Sequence, residues 1–209
     1  MDPPEKEPPT DLVEVIGQPS GIYELPVGMI QQGELVSGLV QQLLNVDRLR
    51  EGGLEVDEVT HSFVVIVSQS CDLEWDRAAR QPGGELDKVL PNVMVCEAHA
   101  AMDVKDRKNV KGEVINNSKI WPRIRDNKDE RFHFFEEVPG SEDAAGEGIP
   151  ELVVDFKRYF SMPTDELYLK LELVAKRRSR LKSPYLEHFS SRFFQFQCRV
   201  ATPRQHLSK

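Results

Sequence analysis

The sequence predicts an α+β protein: a compact, strongly curved antiparallel β-barrel with a C-terminal strand and helices packed against it. Three observations predict it. Short apolar stretches in IYELPVGMIQQGELVSGLVQ are punctuated by Pro26, Gly28, Gly33 and Gly38, the mark of short strands in a tightly turning sheet. Phe63 to Val67, FVVIV, is apolar at every position, as a central strand covered on both sides should be. Near the C-terminus, SPYLEHFSSRFFQFQCRV repeats aromatic residues at helical spacing.

Taken in order, residues 1–20 hold five prolines and little that could form a core, and read as a mobile acidic tail. Residues 21–140 form the expected barrel. Within them, 46–58 carries Gly52-Gly53 between charged flanks, so a loop or hairpin belongs there. After the central strand, Ser70 or Asp72 is placed to cap a short helix, LEWDRAAR, that ends before Pro82-Gly83-Gly84. VLPNVMVCEAHA gives a second buried strand around Val93 to Cys96, 103–119 reads as loop or surface helix, and RFHFFEEV alternates as a strand. Residues 141–149 make a flexible acidic loop, and 150–209 supply the appended strand and helices. ELVVDFKRYFSM is a long strand, followed by Thr164 as N-cap with Asp165 and Glu166 in the first turn. In the last helix Ser183 is the expected N-cap and Pro184 the first helical residue, and Tyr185, Phe189, Phe193, Phe196 and Val200 share one face that packs on the sheet.

Composition excludes several classes. No apolar run approaches the ~20 residues that span a bilayer. The acidic, proline-rich start MDPPEKEPPTD is the reverse of a secretory leader. Three cysteines without a close-spaced pair fit a reducing cytoplasm better than a disulfide framework. The net charge of −8 is uneven: residues 1–100 hold 18 acids and 6 Lys or Arg, residues 101–209 hold 17 and 21. Two halves of opposite sign that pack together and partly neutralise account for this. No Walker loop, dinucleotide-binding glycine pattern or serine elbow occurs, so no cofactor is expected.

The reactive residues allow three sites. Cys71, at a strand end and helix start, would gain thiolate character from the helix dipole, with His61, His99 or His133 as base. No cysteine-hydrolase signature surrounds it, and a packing role is the preferred reading. Cys96 and His99 in CEAH, joined by Cys71, would be the start of a zinc site needing His61 or Cys198 as well. Lys176, Arg177, Arg178 and Arg180 in KRRSRLK form the one basic run fit to meet a phosphate backbone, with Trp121, Arg123 and Arg125 as an outlying group. The same run serves equally as a solvated linker or one side of an ion-pair network.

Gly33-Glu34-Leu35-Val36, then Val64-Val65-Ile66-Val67-Ser68, then Val93-Met94-Val95-Cys96 resemble in order the strands of the PemK/MazF family of SH3-like β-barrels, over roughly residues 28–100. Ribonucleases of that family depend on an arginine before the second of these strands and a Thr or Ser after the third. Here those positions fall on His61 or Ser62 and on Ala98 to Ala100, so the resemblance implies a member that has lost the nuclease arginine. SQSCDL followed by LVVDF and a PY-x-E helix is also similar to bacterial proteins encoded near mobile-element and defence genes. Together these imply a non-catalytic protein-interaction or regulatory module of a bacterial stress-response or antiviral-defence pathway, CRISPR-associated pathways among them. Its partner would be a protein, met by the acidic N-terminal part or the aromatic helix. The rival expectation is an endoribonuclease toxin with a rearranged site, in which Arg123, Arg125 or Arg131 approaches His61 or His133.

Overall fold

The computed structural model describes residues 20–109 and 111–199, so the expected tail, Ser20 apart, and Val200 lie outside the described residues. The strands are β1 (Tyr23–Glu24), β2 (Glu34–Leu44), β3 (Val56–Ile66), β4 (Asn92–Ala100), β5 (Phe132–Phe135), β6 (Leu152–Pro163) and β7 (Lys176–Leu181). The helices are α1 (Val46–Arg50), α2 (Ser70–Ala79), α3 (Ala101–Lys105), α4 (Trp121–Arg125), α5 (Thr164–Leu173) and α6 (Tyr185–Gln197). All seven strands join one antiparallel sheet in the order β1-β7-β2-β3-β4-β6-β5.

The chain is thus α+β as expected, but the sheet is not closed. Its outermost strands, β1 and β5, are two and four residues long and stand at opposite ends of the order. Helices bury both faces instead of the sheet curling onto itself. Nor is the C-terminal part an appendage. β6 bridges β4 to β5, and β7 lies between β1 and β2, so late strands complete the sheet's interior. Bends remain: Gly38 has φ +70°, a backbone that needs glycine, and the register shifts at Leu35/Val36 against β7 and at Cys96/Ala98 against β6.

On one face α6 lays Phe189, Phe193 and Phe196 over Leu35, Val65, Phe135, Val154 and Phe156. Phe156 is the centre of this layer, with ring centroids of Phe193, Phe196 and Phe189 at 5.6, 5.7 and 6.0 Å. On the other face Leu73 of α2 and Leu167 of α5 cover Val36, Leu39, Val64, Ile66, Val95 and Met162. A buried carboxylate ties that second layer together. Asp76 accepts from Arg80 Nε, Tyr168 OH and Leu90 N, each at 2.8 Å, and so links α2 to α5 and to the chain entering β4.

The helix starts differ in detail from expectation. α2 begins at Ser70 with Gln69 as N-cap, and the Ser70 hydroxyl, expected to cap, accepts from Gln32 N instead. α5 begins at Thr164, whose hydroxyl donates to Leu90 O instead of capping. α6 has Pro184 at its N-cap, one residue later than Ser183. Of the expected stripe, Phe189, Phe193 and Phe196 are buried, whereas Tyr185 is exposed.

Replacing Phe193 by alanine should remove about 3–5 kcal/mol of unfolding free energy in urea titrations. Phe194→Ala, on the exposed side of the same helix, should change it by no more than about 0.5 kcal/mol.

Candidate functional site

Two regions stand apart from the packed layers: a polar cluster on β3, β4 and β6, and the far end of the β2–β3 ribbon. In the first, His61 is 6% exposed and stacks on Phe160, centroids 4.7 Å apart. Its Nε2 lies 3.1 Å from Gln41 Oε1 and its Nδ1 3.4 Å from Glu97 Oε1. The second oxygen of Glu97 is 3.1 Å from His99 Nε2 and accepts from Arg158 Nη1 at 3.1 Å. Arg158 also stands 4.0 Å from Asp155, which Arg131 Nε grips at 2.7 Å.

Burial pushes the His61 pKa below its ordinary value, and Glu97 only partly opposes this. His99 is lowered by burial first and then by Arg107. Arg107 is half-buried, forms no ion pair among the described residues, and is itself lowered by burial and then by Arg158. The cluster therefore sets two neutral imidazoles on either side of one carboxylate without a hydrogen bond from His99 Nε2 to it, beside two guanidinium groups. It also joins what the sequence kept apart. Phe63 pairs with Ala98 across β3 and β4, so His61 and the 98–100 stretch, the two positions matched to the PemK/MazF nuclease residues, are neighbours.

The other candidates disperse. Cys71 is exposed at the start of α2, and its thiol reaches only Gln69 Oε1 and Asp72 Oδ1, at 3.6 and 3.8 Å. Cys96 is buried on β4, donates to the carbonyls of Asp155 and Arg158, and has its pKa driven up by burial. No group of three or more His, Cys, Asp or Glu among the described residues is arranged to hold a metal, so Cys71, Cys96 and His99 do not converge. Cys198 is exposed at the end of α6.

Of the basic run, Arg177 makes a two-pronged pair with Glu34, at 2.6 and 2.7 Å. Arg178 does the same with Asp143, at 2.7 and 2.6 Å, and adds Glu147 at 3.1 Å. Arg180 pairs with Glu24, and Lys176 is exposed. These arginines hold β7 to β2 and pin the acidic 141–149 stretch to the sheet. Trp121, Arg123 and Arg125 sit on α4, with Arg125 held by Asp126.

His133, on β5, is 4% exposed. Its Nδ1 is 2.9 Å from Arg192 Nη1, and the His188 ring lies 5.4 Å away, tilted by 57°. Burial first, then Arg192 and His188, hold its pKa well below the ordinary value.

The second region is an arm. β2 and β3 pair from Leu35–Val65 out to Leu44–Val56, but β7 stops pairing with β2 at Ser37 and β4 stops pairing with β3 at Phe63. Beyond Leu39 and His61 the ribbon has no sheet neighbour on either side. Every residue from Gln42 to Thr60 is exposed except Asn45, whose side chain caps α1 by accepting from Arg48 N. Leu43, Leu44, Val46, Leu49, Leu54, Val56 and Val59 all present apolar surface there, Leu54 at 80% exposure. Arg48 is engaged by Glu51 and Glu55 and Arg50 by Asp47, so no cation of the arm is left for the exposed Asp57 and Glu58.

A scan of protein-family models, a search of curated proteins and a search of solved structures each return no match to this chain. Sequence reasoning missed Glu97, Arg107 and Arg158, which carry no motif, although Glu97 lies inside the CEAH stretch read for its cysteine and histidine.

His133 gives a pH test. The unfolded chain protonates this ring near pH 6.5, the folded chain only at lower pH. Its stabilising contribution is therefore complete above pH 6.5 and is lost as pH falls toward the folded value. Urea midpoints should fall steadily between pH 7 and pH 5 in the wild-type chain, and less steeply in His133→Gln.

Proposed function

We propose that this chain is a non-catalytic protein-interaction module whose docking surface is the β2–β3 arm. One observation carries the reading: seven large apolar side chains lie exposed on a stretch of chain that extends past its sheet neighbours on both sides. A two-stranded hairpin alone is marginal in water, and exposed apolar side chains concentrated in one segment are a feature of interaction sites. The arm carries five carboxylates against two arginines between Gln42 and Thr60, which suits a partner offering apolar surface ringed by basic groups. A bacterial stress-response or antiviral-defence setting is supported by the sequence resemblance alone.

A second reading is favoured by the meeting of His61, Glu97 and His99. In it the chain is a PemK/MazF-like endoribonuclease with Arg158 and Arg107 facing the scissile phosphate and a neutral imidazole as base. RNA cleavage by the purified chain, abolished in His61→Ala and in Arg158→Ala, would establish it. Intact RNA after prolonged incubation with the wild-type chain would dismiss it.

For the docking reading, a photo-crosslinking residue at Leu54 should give one discrete adduct in native cells, and the same residue at Leu86, 82% exposed but outside the arm, should give none. Leu44→Ser should remove the adduct while moving the unfolding free energy by about 0.5 kcal/mol or less. Equal labelling from Leu54 and Leu86, or none from either, would refute the arm as the docking surface.

A further inference from the structure

A cavity of about 240 Å³ opens between the start of α6, β5 and the turn after α4, away from both the arm and the Glu97 cluster. His133 and Phe135 line it from β5, Tyr185 and His188 from α6, and Asp126 and Glu136 from the flanking turns. Tyr185 and His188 are exposed, three residues apart on one helix face, and so stand together at the mouth.

The polar chemistry of the cavity is set by Arg192. A guanidinium only donates, so the His133 Nδ1 that faces Arg192 Nη1 at 2.9 Å must accept. The ring is held neutral by burial and by Arg192, which leaves its one proton on Nε2. No described residue accepts from that Nε2–H. That Nε2–H is not sealed off from solvent but opens onto the cavity, where an acceptor entering it meets a donor already oriented by Arg192.

The remaining lining narrows the ligand. The volume lies below the range of drug-sized pockets, which restricts the occupant to one small ring system. Arg125 and Asp126, both in the lining, match each other at 3.1 Å, while the Glu136 carboxylate has no cation paired with it among the described residues. The mouth is thus unfavourable to an anion and offers acceptors to amino groups. Aromatic faces, one oriented donor and carboxylate acceptors at the rim together match a flat, uncharged heterocycle with a ring nitrogen or carbonyl acceptor and an exocyclic amine. We infer that this cavity is a nucleobase-binding site, with the base edge accepting from His133 Nε2–H and its face lying against Tyr185 and His188.

The test uses the full chain with ¹⁵N-labelled histidine, titrated with adenosine, guanosine, cytidine and uridine, and with indole and benzoate as donor-only and anionic controls. At least one amino-bearing nucleoside should shift the His133 Nε2 resonance saturably, and neither control should. Tyr185→Ala, at an exposed position whose loss leaves the core intact, should weaken that nucleoside by roughly five- to 150-fold without moving the urea midpoint. The inference is overturned if no nucleoside shifts the resonance, if indole or benzoate shifts it as strongly, or if Tyr185→Ala leaves the affinity unchanged.

Discussion

The two central strands are longer than the strands beside them, and the rest of the molecule is arranged around that mismatch. Where β2 and β3 have neighbours, their side chains enter two apolar layers, one closed by the aromatic face of α6 and one by α2 and α5. Where the neighbours stop, the same pair continues into water. Leu39 is fully buried and His61 nearly so at the crossing point, and three residues further along β2 Gln42 is already exposed. Gln41, His61 and Glu97 are the polar stitch at this boundary, satisfying the backbone-adjacent end of the sheet just where apolar cover runs out. A rigid root and an uncovered tip are the two properties a docking arm needs.

Charge holds the opposite side of the sheet. β7 reads as a basic run, yet three of its arginines are spent on carboxylates from elsewhere in the chain: Glu34 beside it on β2, Asp143 and Glu147 on the acidic stretch, and Glu24 on β1. Burial pushes the Glu34 carboxyl up even with Arg177 attached, so this site disfavours a lone carboxylate. Removing one member of such a buried pair strands the other, at a typical cost of about 3–5 kcal/mol. The uneven charge of the two halves of the sequence is in this way largely internal, consistent with the neutralisation expected from composition.

What the sequence made legible was whatever depends on local pattern. The apolar run at Phe63 to Val67, the alternation of RFHFFEEV, the long ELVVDF strand and the aromatic spacing of α6 all correspond to elements at or near the expected positions. What stayed hidden depends on partners distant in sequence. KRRSRL has almost no apolar alternation, because three of its six residues are arginines matched by acids some 30 to 150 residues away, and Leu181 is its one large apolar residue facing the core. Sheet closure turns on the lengths of β1 and β5, which no periodicity reports. The arm's leucines and valines carry no sign in the sequence of being uncovered; it is the early end of β4 and β7 pairing that leaves Leu43, Leu44, Val56 and Val59 without strand neighbours beyond the ribbon. Glu97 gained its place between two histidines through β3–β4 register, again a non-local fact.

The account stands or falls on whether the arm is the covered surface in the assembled state. Amide hydrogen exchange of the chain, alone and in the complex recovered from native cells, measures this residue by residue. The account predicts that amides from Gln42 to Thr60 exchange rapidly in the isolated chain, far faster than Val64 to Ile66, and become protected in the complex. Unchanged exchange over the arm, with protection appearing on the α2, α5 or α6 surfaces instead, would contradict it.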